Sequence, residues 1–133
     1  MATTPTVTAL TEASAGLLYP SETDAPWAVF SWPDATGEPT GDGVRRRGRH
    51  RASAPLQEQT LDAVFAPLVL DQDWYGGEEK AVVARYAALL AVVRRSLTSP
   101  KVVKVGGVRV AVYVLGVASE GGWAGLKTTA VET

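Results

Sequence analysis

The most regular pattern of apolar residues lies between residues 81 and 97. Large apolar side chains recur there at the three- or four-residue spacing of one helix face, and no strand period fits them: Val82, Tyr86, Leu89, Leu90, Val93 and Leu97. Glu78 and Glu79 fall in the first turn, where the positive end of the helix dipole favours carboxylates, and Ser99-Pro100 would end the element. The remaining faces carry mostly alanine. We therefore expect the central helix of the core, with neighbours on nearly every side.

Shorter patterns predict two more helices and four strands. We expect helices over residues 7–18 and 60–68, and strands over residues 27–32, 101–105, 108–117 and 123–131. Thr6 or Thr8 could cap the first helix, and Gly106-Gly107 would form a two-residue hairpin turn with positive φ at both positions. Both faces of the 108–117 strand are apolar, which predicts a central strand covered on each side. These elements predict an α/β fold: a single-domain α/β/α sandwich over residues 1–133, with a mostly antiparallel central sheet flanked by helices.

Residues 34–58 interrupt this pattern. Proline, glycine, aspartate and arginine dominate here, which predicts a long surface excursion that is partly disordered around its arginine run. The run, Arg45–Arg51, holds five of the 13 basic residues, which leaves eight against 14 acidic ones and a net charge of −6 for the rest of the chain. We expect an acidic domain with one basic loop.

The chain offers little for catalysis or for a metal site of its own. It has no cysteine, which excludes thiolate metal sites and suits a reducing compartment. Its one histidine, His50, lies in the arginine run, where we expect a mobile loop and not a cleft that fixes a catalytic base. No secretory signal is visible, and the longest uncharged apolar run, Tyr86–Val93, is far shorter than the ~20 residues of a membrane helix. We predict a non-enzymatic, cytoplasmic protein without a cofactor.

Two features indicate a binding surface. Trp74 and Tyr75 are adjacent at the entry to the long helix, where two large aromatic side chains seldom bury together, so we expect one to be exposed. Tryptophan and tyrosine often dominate protein interfaces. The sequence ends at Thr133, directly after a predicted strand, which would hold a carboxylate and a hydroxyl as a compact group of hard oxygens, the ligands that Mg²⁺ accepts. By themselves these residues predict an acidic binding surface and no more.

Several blocks of the chain, taken in order, resemble a known family. They are Gly16–Glu22, Pro26–Trp32, Asp73-Trp74-Tyr75, Glu78-Glu79, Ala81–Ala84, Leu89-Leu90, Val112-Tyr113-Val114 with Gly116, Ala124–Leu126 and Val131-Glu132-Thr133. Together they resemble the nuclease A inhibitor family from about residue 13 to the last residue, and the likeness is weak only between about 34 and 58.

The resemblance implies a monomeric protein that inhibits a sugar-nonspecific, Mg²⁺-dependent DNA/RNA endonuclease by blocking its active site in a one-to-one complex. It implies partner-binding roles for four residues: Glu22, Asp73, Trp74 and Thr133. Trp74 would be the anchor, and Glu22 and Asp73 would take the place of substrate phosphates. Thr133 would be a ligand to the nuclease's own Mg²⁺, so the metal belongs to the partner.

Two departures from the family's pattern bear on this implication. Gly76-Gly77 stand where one member of the family is acidic, which lowers the charge beside Trp74. Arg45–Arg51 is unlike the family, and near the interface it would oppose binding to a cationic nuclease.

An alternative function therefore stays open: a non-enzymatic binding protein that uses the arginine loop on nucleic acid or another acidic partner. Nucleic acid is the weaker option, because no aromatic residue is interleaved with the run to stack on bases.

Overall fold

A five-stranded antiparallel sheet forms the middle layer of the fold in the computed structural model, which describes residues 4–21 and 24–131. The helices are α1 (Pro5–Ser14), α2 (Gly41–Arg47), α3 (Leu61–Phe65) and α4 (Gly77–Ser96). The strands are β1 (Leu18–Tyr19), β2 (Ala25–Pro26), β3 (Ala28–Trp32), β4 (Leu56–Gln59), β5 (Leu97–Val105), β6 (Arg109–Ala118) and β7 (Trp123–Val131). The sheet order is β3-β7-β6-β5-β4, and β1 pairs separately with β2.

Two hydrophobic cores lie on the two faces of this sheet, and β6 contributes to both. Successive side chains of a strand point to opposite faces. Val112 and Val114 accordingly join the core under α1, α3 and α4, whereas Tyr113 and Leu115 join the core under α2 with Val44. The first core takes these helical side chains: Leu10, Leu61, Val64, Phe65, Tyr86, Leu89 and Val93. The predicted α/β/α sandwich is confirmed, and β6 is its central strand as expected.

The helix α4 is the longest element, but it is covered on one side only. Tyr86, Leu89 and Val93 are buried, whereas Val82 is 48% exposed. The alanines of the other faces are also exposed: Ala84, Ala87, Ala88 and Ala91. The prediction of neighbours on nearly every side is wrong, because α4 lies in an outer layer against a single sheet. The helix also ends earlier than expected, since the chain becomes strand β5 at Leu97.

Residues 34–58 contain ordered structure, and the prediction of a partly disordered loop is wrong. Helix α2 begins after Thr40, whose side-chain oxygen accepts a hydrogen bond from the backbone N–H of Gly43. Val44 is fully buried against the sheet. Gly43 lies so close to Trp123 that a Cβ placed on it would be 2.6 Å from the indole ring. The glycines that suggested a loop allow this helix to approach the sheet.

Some of the helix and strand boundaries predicted from the sequence agree with the structure, and others differ from it. The last strand runs over residues 123–131 as predicted, and residues 119–122 form a turn. The connection from β5 to β6 is longer than two residues, because Val105 pairs with Ala111, and only Gly106 has a positive φ. Helix α1 starts earlier than expected and is capped by Thr4.

Candidate functional site

Trp74 is the most exposed large apolar side chain of the described residues, at 77%. Its ring meets that of Tyr75 edge to face, with 4.6 Å between the centroids, and Tyr75 is half-buried. The prediction that one of the two aromatic residues is exposed is confirmed. Asp73, next to Trp74, is exposed as well. An exposed indole with an adjacent carboxylate is well suited to contact a partner.

The loop that carries Trp74 is tied to the first turn of α4. Lys80 Nζ forms an ion pair with Asp71 Oδ1 at 2.9 Å and donates a hydrogen bond to the backbone oxygen of Gln72 at 3.2 Å. The carboxylate of Glu79 accepts the backbone N–H of Gly76, which is the N-cap of α4. These bonds hold both ends of the loop in place, so the backbone that carries the exposed side chains of Asp73 and Trp74 is fixed.

Two of the four predicted partner-binding residues, Glu22 and Thr133, lie outside the described residues. The residues that precede each of them are described, and these two segments of the chain are in contact. The backbone N–H of Val131 donates a hydrogen bond to Oγ of Ser21 at 3.3 Å. The residue before Glu22 and the end of β7, two residues before Thr133, are therefore in contact across 110 positions of sequence.

An open cleft of about 590 Å³ extends from Trp74 to the segment that flanks Glu22. Its walls come from residues 16–20, Asp24, residues 67–75 and α4. Pro20 and Asp24 line it together with Trp74 and Tyr75. The structure thus brings Trp74 and both flanks of Glu22 to the same cleft, although they are far apart in sequence.

Tyr86 forms the base of this cleft and carries a hydrogen-bond relay. Trp27 Nε1–H donates to the hydroxyl of Tyr86 at 3.0 Å, and that hydroxyl donates to the backbone oxygen of Leu18. Burial raises the pKa of Tyr86, and the nearby charges of Tyr19 and Asp24 act in the same direction. The periodic pattern identified Tyr86 as a core residue. It could not show the relay, because Trp27 and Leu18 belong to other segments.

The arginine run lies on the opposite face of the sheet from this cleft. It belongs to α2 and the turn after it, whereas the cleft is walled by α4 on the other face. Arg45 pairs with Asp42 at 2.9 Å, and Arg47 pairs with Asp34 at 3.0 Å. The guanidinium of Arg47 also lies over the ring of Trp123, 5.5 Å from its centroid. Acidic side chains of the same segment therefore offset part of its charge.

His50 is held in place, contrary to the prediction of a mobile loop. Its Nε2 lies 2.7 Å from the hydroxyl of Tyr113, and the two rings meet edge to face. Burial lowers the pKa of His50, and the positive charge of Lys127 lowers it further. Within residues 4–21 and 24–131, no three histidine, cysteine or acidic side chains are grouped so that they could hold a metal ion. No helix in that part of the chain is long and apolar enough to cross a membrane.

The sequence model of a family described as nuclease A inhibitor-like protein matches residues 4–133. The chain belongs to the nuclease A inhibitor-like family. No curated protein sequence matches it. Membership implies a general nuclease-inhibiting role and suggests a nuclease as the partner.

Both departures from the family's pattern have a structural account in this protein. Gly76 caps α4 and gives its N–H to Glu79, so the position serves the start of the helix. The arginine run builds α2 on the far side of the sheet. It does not border the cleft beside Trp74.

Proposed function

We propose that this protein inhibits a Mg²⁺-dependent, sugar-nonspecific DNA/RNA endonuclease by occupying its active site as a monomer in a one-to-one complex. The observation that carries the proposal is Trp74, held 77% exposed on a tied loop, in a chain that belongs to a nuclease inhibitor family. Trp74 is the anchor that loses its contact with water on binding. The protein acts by binding and performs no catalysis of its own.

Charge gives the complex its orientation. A nuclease active site binds a polyanion, so its surface is cationic and attracts acidic groups. Asp73 is exposed beside Trp74, and Glu22 follows directly after Ser21. In the complex these two carboxylates stand where substrate phosphates otherwise place negative charge. The paired arginines of α2 lie across the sheet and do not oppose this approach.

Thr133 supplies the third contact. Its terminal carboxylate and hydroxyl are hard oxygen ligands, which Mg²⁺ prefers. We place Thr133 on the Mg²⁺ of the nuclease, where it denies the metal its water and its substrate. Support comes from the bond between Val131 and Ser21, which joins the end of β7 to the segment that leads to Glu22. The metal belongs to the nuclease, and this chain needs no cofactor. The absence of cysteine fits the cytoplasm, where we place the protein.

The proposal is tested by titrating a nonspecific Mg²⁺-dependent nuclease with the purified protein. Inhibition in the micromolar range or tighter is expected, and an unchanged cleavage rate at micromolar protein would refute the proposal.

Removal of Thr133, or a tag added after it, should weaken inhibition by about tenfold or more, which corresponds to about 1.4 kcal/mol. The matched control carries the same tag before Met1. If the C-terminally tagged protein inhibits as well as this control, Thr133 does not bind the metal.

A further inference from the structure

We infer that the cleft beside Trp74 takes a long basic side chain, lysine or arginine, from the nuclease. The aliphatic part of that side chain lies along α4, and its charged end lies beside Asp24. The inference rests on the proposed function and names a contact within the proposed complex.

The wall of the cleft is an uncovered continuation of the core face of α4. Val82 is on the same helix face as Tyr86 and Leu89, yet it is 48% exposed whereas Tyr86 is 1% exposed. The elements that cover the rest of the face do not reach this turn. Leu18 is 49% exposed and lines the same cleft. The two side chains leave an apolar channel that a partner can fill.

The described residues that line the cleft carry negative charge and no positive charge. Asp24 and Glu79 line it, and no lysine or arginine does so among the described residues. Asp24 forms no ion pair within that part of the chain, whereas Asp71 nearby is already paired with Lys80. Glu79 gives one carboxylate oxygen to the start of the helix. A carboxylate without a counter-ion at the rim of an apolar cleft favours a cation that brings apolar surface with it.

Two cations of α4 near the cleft, Lys80 and Arg85, are engaged elsewhere, since Lys80 is paired with Asp71. The guanidinium of Arg85 donates to the backbone oxygen of Ala13 at 3.3 Å. The negative charge of Asp24 and Glu79 is therefore available to a positively charged group of the partner.

Lysine and arginine combine the two properties that the cleft requires. Their methylene groups pack on apolar surface while the charged end reaches a polar rim. Trp74 and Tyr75 also line the cleft, and an aromatic ring adds an attraction for a cation that lies over its face. An anionic ligand such as nucleic acid would be repelled by Asp24 and Glu79. A nuclease that binds a polyanion carries such basic side chains around its active site.

A pair of substitutions at Val82 separates charge from shape. Val82→Lys and Val82→Glu add side chains of similar reach and opposite charge at a half-exposed helical position. The lysine variant should weaken inhibition by about tenfold or more, and the glutamate variant should inhibit within about threefold of the natural protein. Ala91→Lys is the matched control: an exposed residue of α4 on the opposite side of the helix, where no effect is expected.

Each other outcome overturns the inference. Equal weakening by both variants would show an apolar contact without a cation, and no effect of either would show that the nuclease does not touch the cleft. Asp24→Asn provides a second measurement, since it should weaken inhibition and make it less dependent on salt. Thermal unfolding of each variant checks that it is folded. If the natural protein itself fails to inhibit, the proposed function fails, which is distinct from inhibition that is insensitive to Val82.

Discussion

Trp74 and Trp123 are the same residue type with opposite surroundings, and their positions explain the difference. Trp123 begins β7 and is 5% exposed under α2, where its Nε1–H donates to the backbone oxygen of Gly37 at 2.9 Å. Trp74 lies in a loop, contacts the ring of Tyr75 and is 77% exposed. A tryptophan that remains exposed to water in the folded protein contributes little to the free energy of unfolding. Its replacement can therefore change binding without changing stability.

Trp74→Ala should leave the free energy of unfolding unchanged within about 0.5 kcal/mol, because the side chain is exposed. It should weaken inhibition by about 2 kcal/mol, roughly thirtyfold, if the indole is the anchor of the complex. Inhibition constants and thermal melts measure the two effects. Gln57→Ala is the control, since Gln57 is exposed on β4, the edge strand of the sheet that is three strands away from β7, and does not line the cleft. A loss of inhibition under about threefold would show that Trp74 is not an anchor.

His50 makes the stability of the α2 side depend on pH. Burial and the charge of Lys127 hold the pKa of His50 below its ordinary value of 6.5 in the folded protein. Between these two pKa values the unfolded chain binds a proton that the folded chain does not. The contribution of His50 to the free energy of unfolding is therefore complete above pH 6.5. It is lost as the pH falls through the lower pKa that His50 has in the folded protein.

Denaturation of the natural protein and of His50→Gln at several pH values between 7.5 and about 5 tests this dependence. The advantage of the natural protein over the variant should shrink as the solution becomes more acidic. Glu58 and Glu120 also titrate with lowered pKa values, below their ordinary 4.5, and both proteins retain them, so their effect cancels in the comparison. A pH-independent difference would show that His50 titrates alike in the folded and unfolded chains.

Helix α2 is the element whose existence depends most on tertiary contacts. It has seven residues, two of them glycines, and an isolated helix of that length is unstable in water. Its stability comes from burying Val44 and from the close approach of Gly43 to Trp123. The cap at Thr40 and the pairing of Asp42 with Arg45 add to this contact.

Gly43→Ala should destabilise the protein by about 1–3 kcal/mol, because the new methyl group would lie 2.6 Å from Trp123 and 2.9 Å from Thr40 Oγ1. Gly77→Ala is the matched control at the start of α4. A Cβ there meets nothing within 4 Å, so the change should be neutral or stabilise by up to about 1 kcal/mol. Urea denaturation measures both. Similar midpoints for the two variants would contradict the close packing of α2.

On the scale of the whole molecule, the sheet separates two surfaces of different character. One side carries α1, α3 and α4, with Trp74 and the acidic cleft. The other side carries α2 and the arginine run. The arginine run that stands out in the sequence therefore lies across the sheet from the surface that we propose for the nuclease.

Replacement of Arg46, Arg49 and Arg51 by serine tests this separation. All three side chains are exposed, so the variant should remain folded. Inhibition should stay within about threefold of the natural value, because the charges lie across the sheet from Trp74. A gel-shift assay with DNA and RNA at moderate salt examines the alternative function in parallel. A complex of the natural protein that disappears in the variant would support nucleic-acid binding by the run, and altered inhibition would place the run in the nuclease interface.

The sequence by itself determined the elements whose pattern is local. The period of α4 and its acidic first turn, the two apolar faces of β6, and the bounds of β7 follow from short-range rules, and the structure has all of them. The exposure of one residue of the Trp74-Tyr75 pair was also predictable, because neighbouring large rings compete for the same space. The blocks that resemble the nuclease inhibitor family identified it without the structure.

Only the tertiary structure decided which surfaces these elements share. Val82 fits the buried stripe of α4, but whether a helix face is covered depends on elements distant in sequence, and here the cover ends before that turn. The helix α2 forms because Trp123 receives it, and the place of the arginine run follows from that contact. The bond from Val131 to Ser21 joins segments 110 positions apart. Such contacts depend on how the whole chain packs, and no local period records them.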